Sequence, residues 1–173
     1  QGGKTVFNGI VGPACMPAGG PTALKLDVAA QNDCGVGVLN INSGGNLHLL
    51  NVTADGPSYV FMDTLNMGAD GTITFDLPAT SGTAKIGTYP QVFVDTANLK
   101  GTLVANIAGN GLFETTTYEN VIDAVTRNGT FDHCVIDGIP TDALLLTFGC
   151  VYDDQANVDL KVTRTPFDQV AGL

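Results

Sequence analysis

Hydrophobic and polar residues alternate along many short stretches of this chain. In residues 72–77 the apolar side chains of Ile73, Phe75 and Leu77 alternate with polar ones, so that they share one face of a predicted strand. Similar runs, mostly of four to seven residues, recur along the chain, separated by short breaks. Residues 59–62 and 65–67 are predicted as separate strands and residues 78–88 as a long polar loop. No stretch sustains the spacing of an amphipathic helix. The pattern predicts an all-β protein with many turns.

The breaks between these runs often place Asn or Asp beside Gly, which are residues that tolerate a positive φ. Such turns close antiparallel hairpins, but they also form the corners of a β-solenoid in which successive coils stack. A two-sheet sandwich has the same spacing of strands and turns. The pattern alone therefore leaves these architectures open.

Composition and charge narrow the function classes. Only 14% of the 173 residues are charged, against about 25% in an average protein. The net charge is −10, and the seven Lys and Arg residues are scattered, which disfavours binding to nucleic acid. No apolar run approaches the about 18 residues of a membrane-spanning helix. Because the chain starts at Gln1 without a signal peptide, we expect a mature or excised fragment.

The four cysteines are Cys15, Cys34, Cys134 and Cys150, and their even number allows three disulfide pairings. Pairing of sequence neighbours closes two short loops and requires an oxidising compartment. Free buried thiols and a zinc site are the alternatives, and the lack of a Cys-x-x-Cys spacing disfavours zinc. We predict disulfides, with the pairing left open.

Candidate chemistry is sparse. Neither histidine lies in a nucleophile motif, and no glycine-rich phosphate-binding motif is present. The carboxylate pairs, Asp132 with Asp137 and Asp153 with Asp154, have no adjacent Lys or Arg and are predicted to be solvated turn acids. Residues 153–159 place oxygen donors at close spacing but lack the central Gly and distal Glu of a calcium loop, so a hairpin turn is favoured over a calcium site. We predict no catalysis, no metal and no cofactor.

The sequence predicts different structures for the N-terminal and C-terminal parts of the chain. Residues 1–35 contain a Gly- and Pro-rich loop at 12–21, which we interpret as an irregular excursion or as an exposed recognition loop. The other end, from residue 144, predicts a strand, an acidic turn and a second strand in which Val158, Leu160 and Val162 share one face. Pro166 ends that strand because it cannot donate a ladder hydrogen bond.

Several stretches of the chain resemble the C-terminal part of autotransporter passengers. They are LNMGADGTITFDL at 65–77, LKGTLVANI at 99–107, TYENVIDA at 117–124, GTF at 129–131 and the hairpin at 151–164, which Phe167 follows. Autotransporters are bacterial proteins with a parallel β-helical passenger and a C-terminal outer-membrane β-barrel. The resemblance covers about residues 60–173, and the two cysteine pairs depart from it, since such passengers are usually poor in cysteine.

The resemblance implies a right-handed parallel β-helix closed by a C-terminal antiparallel hairpin. Residues 36–140 would be the β-helix rungs. Residues 1–35, which the resemblance does not cover, are predicted as an irregular, disulfide-stapled N-terminal segment. Residues 141–173 would be the capping hairpin and, at Pro166 and Phe167, the start of the linker to a barrel absent from this chain.

The resemblance also implies a function without catalysis, in which this barrel-proximal region folds first and templates the remaining passenger at the surface of a Gram-negative bacterium, after export through the periplasm and outer membrane. Its own outer-membrane barrel would be its partner. The predicted folding nucleus consists of Val121, Ile122, Phe131, Leu144, Leu146 and Phe148. One alternative is an adhesin-like module that contacts a host-surface, glycan or cell–cell ligand through residues 12–35. A polysaccharide-active β-helical enzyme is another.

Overall fold

The structure is a computed structural model, and it describes residues 4–7, 10–11, 37–42, 44–51, 57–108, 115–137 and 146–165. These residues form strands and, within those ranges, no helix. The strands are β1 (Lys4–Phe7), β2 (Ile10–Val11), β3 (Val38–Ile41), β4 (Asn46–Leu49), β5 (Tyr59–Met67), β6 (Thr72–Pro78), β7 (Gly82–Thr83), β8 (Gln91–Leu99), β9 (Thr102–Ala108), β10 (Thr116–Gly129), β11 (His133–Ile136), β12 (Leu146–Val151) and β13 (Val158–Arg164).

The strands form two sheets. The first sheet has the order β1-β4-β6-β9-β11, and every pair in it is parallel. The second sheet has the order β12-β13-β10-β8-β5-β2, with β3 also on β5 and β7 on β10. Its pairs are parallel from β2 to β10 and antiparallel where β13 joins β10 and β12 joins β13. The prediction of an all-β fold is confirmed, and the C-terminal hairpin is present.

From β4 to β11 the long strands alternate between the two sheets, so that each strand pairs with one from the preceding pass of the chain. Partners in the second sheet are 26, 32 and 30 residues apart in sequence. A parallel pair needs such a crossover, because its second strand must start at the same end as its first. Here the crossover between two strands of one sheet contains a strand of the other sheet.

The core lies between the sheets and consists of apolar side chains in register. Leu47 on β4, Ile73 on β6 and Leu103 on β9 are Cα partners and are fully buried. Val60, Val92 and Ile122 form a corresponding column in the second sheet. Each such side chain contributes about 1.5–3 kcal/mol by leaving water. Because every column continues from strand to strand, each pass of the chain buries the apolar face of the previous one.

A ladder of four asparagines accompanies the core on the second sheet. Strands of a parallel sheet lie about 4.8 Å apart, so identical side chains in register come within hydrogen-bond reach. Asn66 donates from Nδ2 to Oδ1 of Asn40 at 2.8 Å, Asn98 donates to Asn66 at 2.7 Å, and Asn128 donates to Asn98 at 2.8 Å. The ladder fixes the register of β3, β5, β8 and β10.

Three details differ from the sequence prediction. Residues 59–67, predicted as two strands, form the single strand β5, in which the alternation of buried residues shifts at Asp63 and Thr64. Strand β7 lies inside the predicted loop 78–88. Thr74, predicted on the polar face, is buried and donates to Oδ1 of Asn46 at 3.1 Å.

The described part of residues 1–35, predicted to be irregular, consists of β1 and β2, which extend the first and second sheets. Cys15, Cys34 and the loop 12–35 lie outside the described residues. The division of the chain at residues 36 and 141 stays a prediction.

Candidate functional site: a C-terminal cap and an outer cleft

The hairpin β12–β13 covers the edge of β10, the last parallel strand of the second sheet. Strand β13 pairs antiparallel with β10, with Tyr118 opposite Leu160 and Ile122 opposite Val158. Val158, Leu160 and Val162 alternate into the core and are fully buried, as the sequence pattern predicted. We call β10, β11 and the hairpin together the C-terminal cap.

A disulfide joins the two sheets within this cap. Cys134 on β11 continues the core column of Leu103, and Cys150 lies on β12. The two cysteines are bonded, with their Cα atoms 5.8 Å apart. Of the pairings that the sequence left open, the structure contains Cys134 with Cys150. The bond ties the end of the first sheet to the edge strand of the second.

Arg127 closes the core next to the disulfide. It is in register with Ala97, which is fully buried, so the arginine stands where the apolar column ends. Its guanidinium donates to the carbonyl oxygens of Gly129 at 2.7 Å and Asp154 at 2.8 Å, and it lies 4.7 Å from the ring centre of Tyr152. A cation over an aromatic face is attracted to the ring quadrupole, so Arg127 binds the hairpin to β10.

The hydroxyl of Tyr152 extends this contact. It accepts the backbone N–H of Phe131 at 3.0 Å, and Phe131 is buried in the same cap. Burial raises the pKa of Tyr152 above its usual value, while the hydrogen bond from Phe131 and the charge of Arg127 lower it. The ring therefore stays neutral at physiological pH and serves as a structural acceptor.

Strand β10 contains a bulge where the hairpin meets it. Asn120 has a positive φ of 53°, and the register with β13 shifts between Tyr118 and Ile122. Neighbouring side chains satisfy the backbone groups that the bulge frees: Asp159 Oδ1 accepts the Asn120 N–H at 2.7 Å, and Gln91 Nε2 donates to the Asn120 carbonyl at 2.9 Å. The bulge is therefore a hydrogen-bonded feature, as buried backbone groups require.

Tyr89, which lies in the connection between β7 and β8, stabilises the bulge. Its hydroxyl donates to the carbonyl of Glu119 at 2.6 Å, and its ring contacts Tyr118 edge to face at 5.6 Å. Burial, followed by the charges of Glu119 and Asp159, raises the pKa of Tyr89 to about 12. The pKa of Asp159 is itself raised, mainly by burial.

The acidic turn of the hairpin is stabilised by hydrogen bonds between its own residues. Asp154 accepts the N–H of Ala156 at 2.8 Å and that of Asn157, and its other oxygen accepts Nδ2 of Asn157 at 3.0 Å. These hydrogen bonds lower the pKa of Asp154. Oδ1 of Asn157 accepts the N–H of Ala124 at 3.1 Å. Three of the oxygen-bearing side chains considered for a calcium loop, those of Asp154, Asn157 and Asp159, thus make hydrogen bonds within the cap.

The residues predicted as a folding nucleus fall in the cap where they are described. Val121, Ile122 and Phe131 are buried, and Leu146 and Phe148 are partly buried against the core. Leu144 and the predicted linker residues Pro166 and Phe167 lie outside the described residues. Among the predicted turn acids, Asp132 accepts the N–H of Gly101 at 2.8 Å and so fixes a corner.

A cleft of about 240 Å³ opens on the outer side of the second sheet. It is lined by three consecutive residues from each of β5, β8 and β10, namely residues 61–63, 93–95 and 123–125. Phe61 and Phe93 stack there with ring centres 4.8 Å apart and 11° between their planes. Asp63, Asp95 and Asp123 supply three carboxyl groups.

A polar column crosses the outer side of the first sheet. His48 Nε2 lies 2.7 Å from Oδ1 of Asp76, and Asn106 donates to the same oxygen at 2.9 Å. An aligned His–Asp pair orients an imidazole, but catalysis of acyl transfer also requires a nucleophile within reach of the imidazole. The three residues are 28 and 30 positions apart, so an offset of about 30 residues in the sequence is the signal that finds them.

Within the described residues, no group of three His, Cys, Asp or Glu side chains is arranged to hold a metal ion. The described part of the chain also contains no helix long and apolar enough to cross a membrane.

The fold and these sites define an all-β protein of two largely parallel sheets with an antiparallel C-terminal cap. No protein-family model matches the chain, and no curated protein or solved structure matches it.

Proposed function

We propose that this chain is the barrel-proximal part of an autotransporter passenger, a right-handed parallel β-helix whose C-terminal cap folds first and templates the coils before it. Its role is folding and display at the surface of a Gram-negative bacterium, without catalysis. Its partner is an outer-membrane barrel that follows Pro166 and Phe167 in the parent protein.

The β-helical architecture is supported by the alternation of the strands between two sheets and by their register. Strands from successive passes stack in parallel, and the asparagine ladder joins them at intervals of 26, 32 and 30 residues. Crossovers between parallel strands of one sheet are right-handed in about 98% of known cases, which favours that hand.

The observation that carries the templating role is the junction between the antiparallel hairpin and both sheets. A coil of a β-helix buries its apolar face only against a neighbour, so the first coil needs a unit that is stable without one. The hairpin pairs strands close in sequence, and the disulfide spans only 16 residues, so the cap forms at a low cost in chain entropy. The completed β10 then presents an in-register edge to β8.

The alternative functions have less support. The adhesin alternative rests on residues 12–35, which lie outside the described residues. The acids considered for a polysaccharide-active enzyme, Asp132 and Asp154, both accept backbone hydrogen bonds that fix turns. The cap remains the feature best explained by a folding role.

Folding kinetics of two buried leucines test this proposal. Leu160 lies in the cap and Leu47 in the far part of the first sheet, and both are fully buried. Either change to Ala should destabilise the protein by about 2–5 kcal/mol. If the cap forms first, Leu160→Ala should mainly slow refolding, and Leu47→Ala should mainly speed unfolding. Stopped-flow refolding and unfolding in guanidinium measure both rates.

The reverse result, in which Leu47→Ala slows refolding and Leu160→Ala acts on unfolding, would rule out the cap as the nucleus. If either Ala variant does not fold, the milder pair Leu160→Val and Leu47→Val gives the same comparison at a smaller cost. Ile86→Asp, which places a charge at a side chain 51% exposed, serves as a control that should change neither rate appreciably.

A further inference from the structure

The outer cleft begins where a column of aromatic side chains ends. Phe61 on β5 is in register with Phe93 on β8, and Phe93 is in register with Asp123 on β10. The ring separation of 4.8 Å equals the spacing of adjacent strands, so the rings stack along the direction from strand to strand. The face of Phe93 opposite Phe61 is therefore turned toward the position of Asp123. Because the side chain of Asp123 is smaller than a phenyl ring, it leaves space beside that face.

Carboxylates surround this space. Asp63 and Asp95 occupy matching positions on β5 and β8, and both are exposed. Like charges on neighbouring strands repel each other, which destabilises the sheet. None of the side chains of Asp63, Asp95 and Asp123 has a hydrogen bond or ion pair with another described residue. This contrasts with Asp76, Asp132, Asp154 and Asp159, whose carboxyl groups accept hydrogen bonds in the structure.

The cleft also offers an apolar contact. Val125 lies between Ala124 and Thr126, whose register partners are Val94 and Thr96, so it occupies the position beside Asp95. It is 76% exposed at the rim of the cleft. No Lys or Arg lines the cleft. A ligand that complements all of these groups has a cationic head for the carboxylates and the ring face, and an aliphatic stem for Val125.

We propose that the outer cleft binds a cationic side chain, arginine or lysine, presented by a basic polypeptide segment of another molecule. The cation lies over the open face of Phe93 and pairs with Asp123 and Asp95, while its aliphatic stem contacts Val125. The net charge of −10 favours the approach of a basic partner from any direction, and the cleft selects where it docks. Burial and the nearby Asp154 raise the pKa of Asp123, and the positive charge of a bound cation would lower it.

A peptide titration followed by amide chemical shifts tests this inference. The probe is acetylated hexa-arginine amide at fixed ionic strength, and the control peptide carries citrulline, a neutral analogue, in place of arginine. We expect the arginine peptide to perturb the amides of residues 93–95 and 123–125 and the citrulline peptide to leave them unchanged. The hexalysine analogue should bind the same residues more weakly, because an ammonium lacks the planar stacking of a guanidinium.

Three variants assign the binding to the cleft. Asp123→Asn should weaken binding about tenfold, because it removes a charge partner. Phe93→Leu should weaken it about fivefold, because it keeps the apolar volume but removes the ring face. Asp153→Asn makes the same charge change in the exposed hairpin turn and should change the affinity less than twofold. Circular dichroism of each variant establishes that it is folded.

Equal losses for Asp123→Asn and Asp153→Asn would mean that the protein attracts the peptide only through its net charge, and the inference would be wrong. Equal binding of the citrulline peptide would also overturn it. Cellohexaose, an uncharged oligosaccharide, is the third probe, since aromatic side chains beside carboxylates also suit a sugar. Perturbation of residues 93–95 and 123–125 by cellohexaose without any by the arginine peptide would assign the cleft to a carbohydrate instead.

Discussion

At the scale of single residues, Gly101 shows how closely successive passes of the chain approach each other at a corner. Its φ is +69°, and a Cβ atom there would overlap the carbonyl oxygen of Gly71 and lie 2.5 Å from that of Gly68. The same Gly71 carbonyl accepts the N–H of Thr102 at 2.9 Å, so it has little freedom to move. Conformation and space both require glycine at this corner.

Gly82 provides a matched control for this requirement. It has nearly the same φ, +70°, but open space around the position of a Cβ atom. We predict that Gly82→Ala costs about 1 kcal/mol from backbone strain alone, and that Gly101→Ala costs about 3 kcal/mol or more because the overlap adds to the strain. Urea unfolding measures both, and equal costs would show that the corner can relax around a methyl group.

Asp123 gives a prediction on pH. Burial, and then repulsion from Asp154, raise its pKa above the value of 3.8 that it has when unfolded. The folded state therefore holds this proton more tightly, and its stabilising effect is full below pH 3.8 and is lost as the pH rises through the raised pKa. At pH 7 the ionised carboxylate destabilises the fold.

Asp123→Asn should accordingly raise the thermal midpoint at pH 7 by about 1–2 °C, and the gain should disappear below pH 3.8. Differential scanning calorimetry at pH 7 and pH 3 measures the two differences. Asp153→Asn should lack this pattern. A lower midpoint for Asp123→Asn at pH 7 would mean that the carboxylate stabilises the fold without any ligand, and would contradict the prediction.

At the scale of structural elements, the asparagine ladder joins strands that lie far apart in the sequence. Asn98 both donates to Asn66 and accepts from Asn128, whereas Asn40 only accepts from Asn66. We predict that Asn98→Ala costs about 1–2 kcal/mol and Asn40→Ala about half as much, because the first change leaves two partners without a hydrogen bond and the second leaves one.

Denaturant unfolding of the two variants and the wild type measures these costs. The three unfolding curves are fitted with one common dependence of the unfolding free energy on denaturant concentration. Identical costs for the two changes would indicate that water replaces the lost partners equally at both positions. Equal costs would contradict the prediction that the loss of stability scales with the number of hydrogen bonds removed.

The sequence pattern predicted the C-terminal hairpin of the cap more accurately than the other elements. Alternation at Val158, Leu160 and Val162 predicts which side chains enter the core, because a strand with one buried face has a period of two residues. The bulge at Asn120 was not predicted, since Asp159 and Gln91, which stabilise it, lie 39 and 29 residues away. Arg127 was likewise missed, because its contact with Tyr152 depends on where the apolar columns end.

At the scale of the whole molecule, local patterns predicted the all-β class and most strand positions. They did not predict which strands pair, because partners lie about 30 residues apart and each pairing depends on the passes between them. The outer cleft was missed for the same reason. Phe61, Phe93 and Asp123 become neighbours only when the three strands are aligned in register.

The in-register ladder also constrains how proteins of this build can change length. Adding one residue inside β5 or β8 would turn every following side chain of that strand to the opposite face and separate its asparagine from those above and below. Adding a complete circuit of about 30 residues would leave the ladder continuous. The number of stacked strands can therefore change in evolution only by complete circuits of the chain. Insertions and deletions of single residues are confined to the connections that lie outside the ladder.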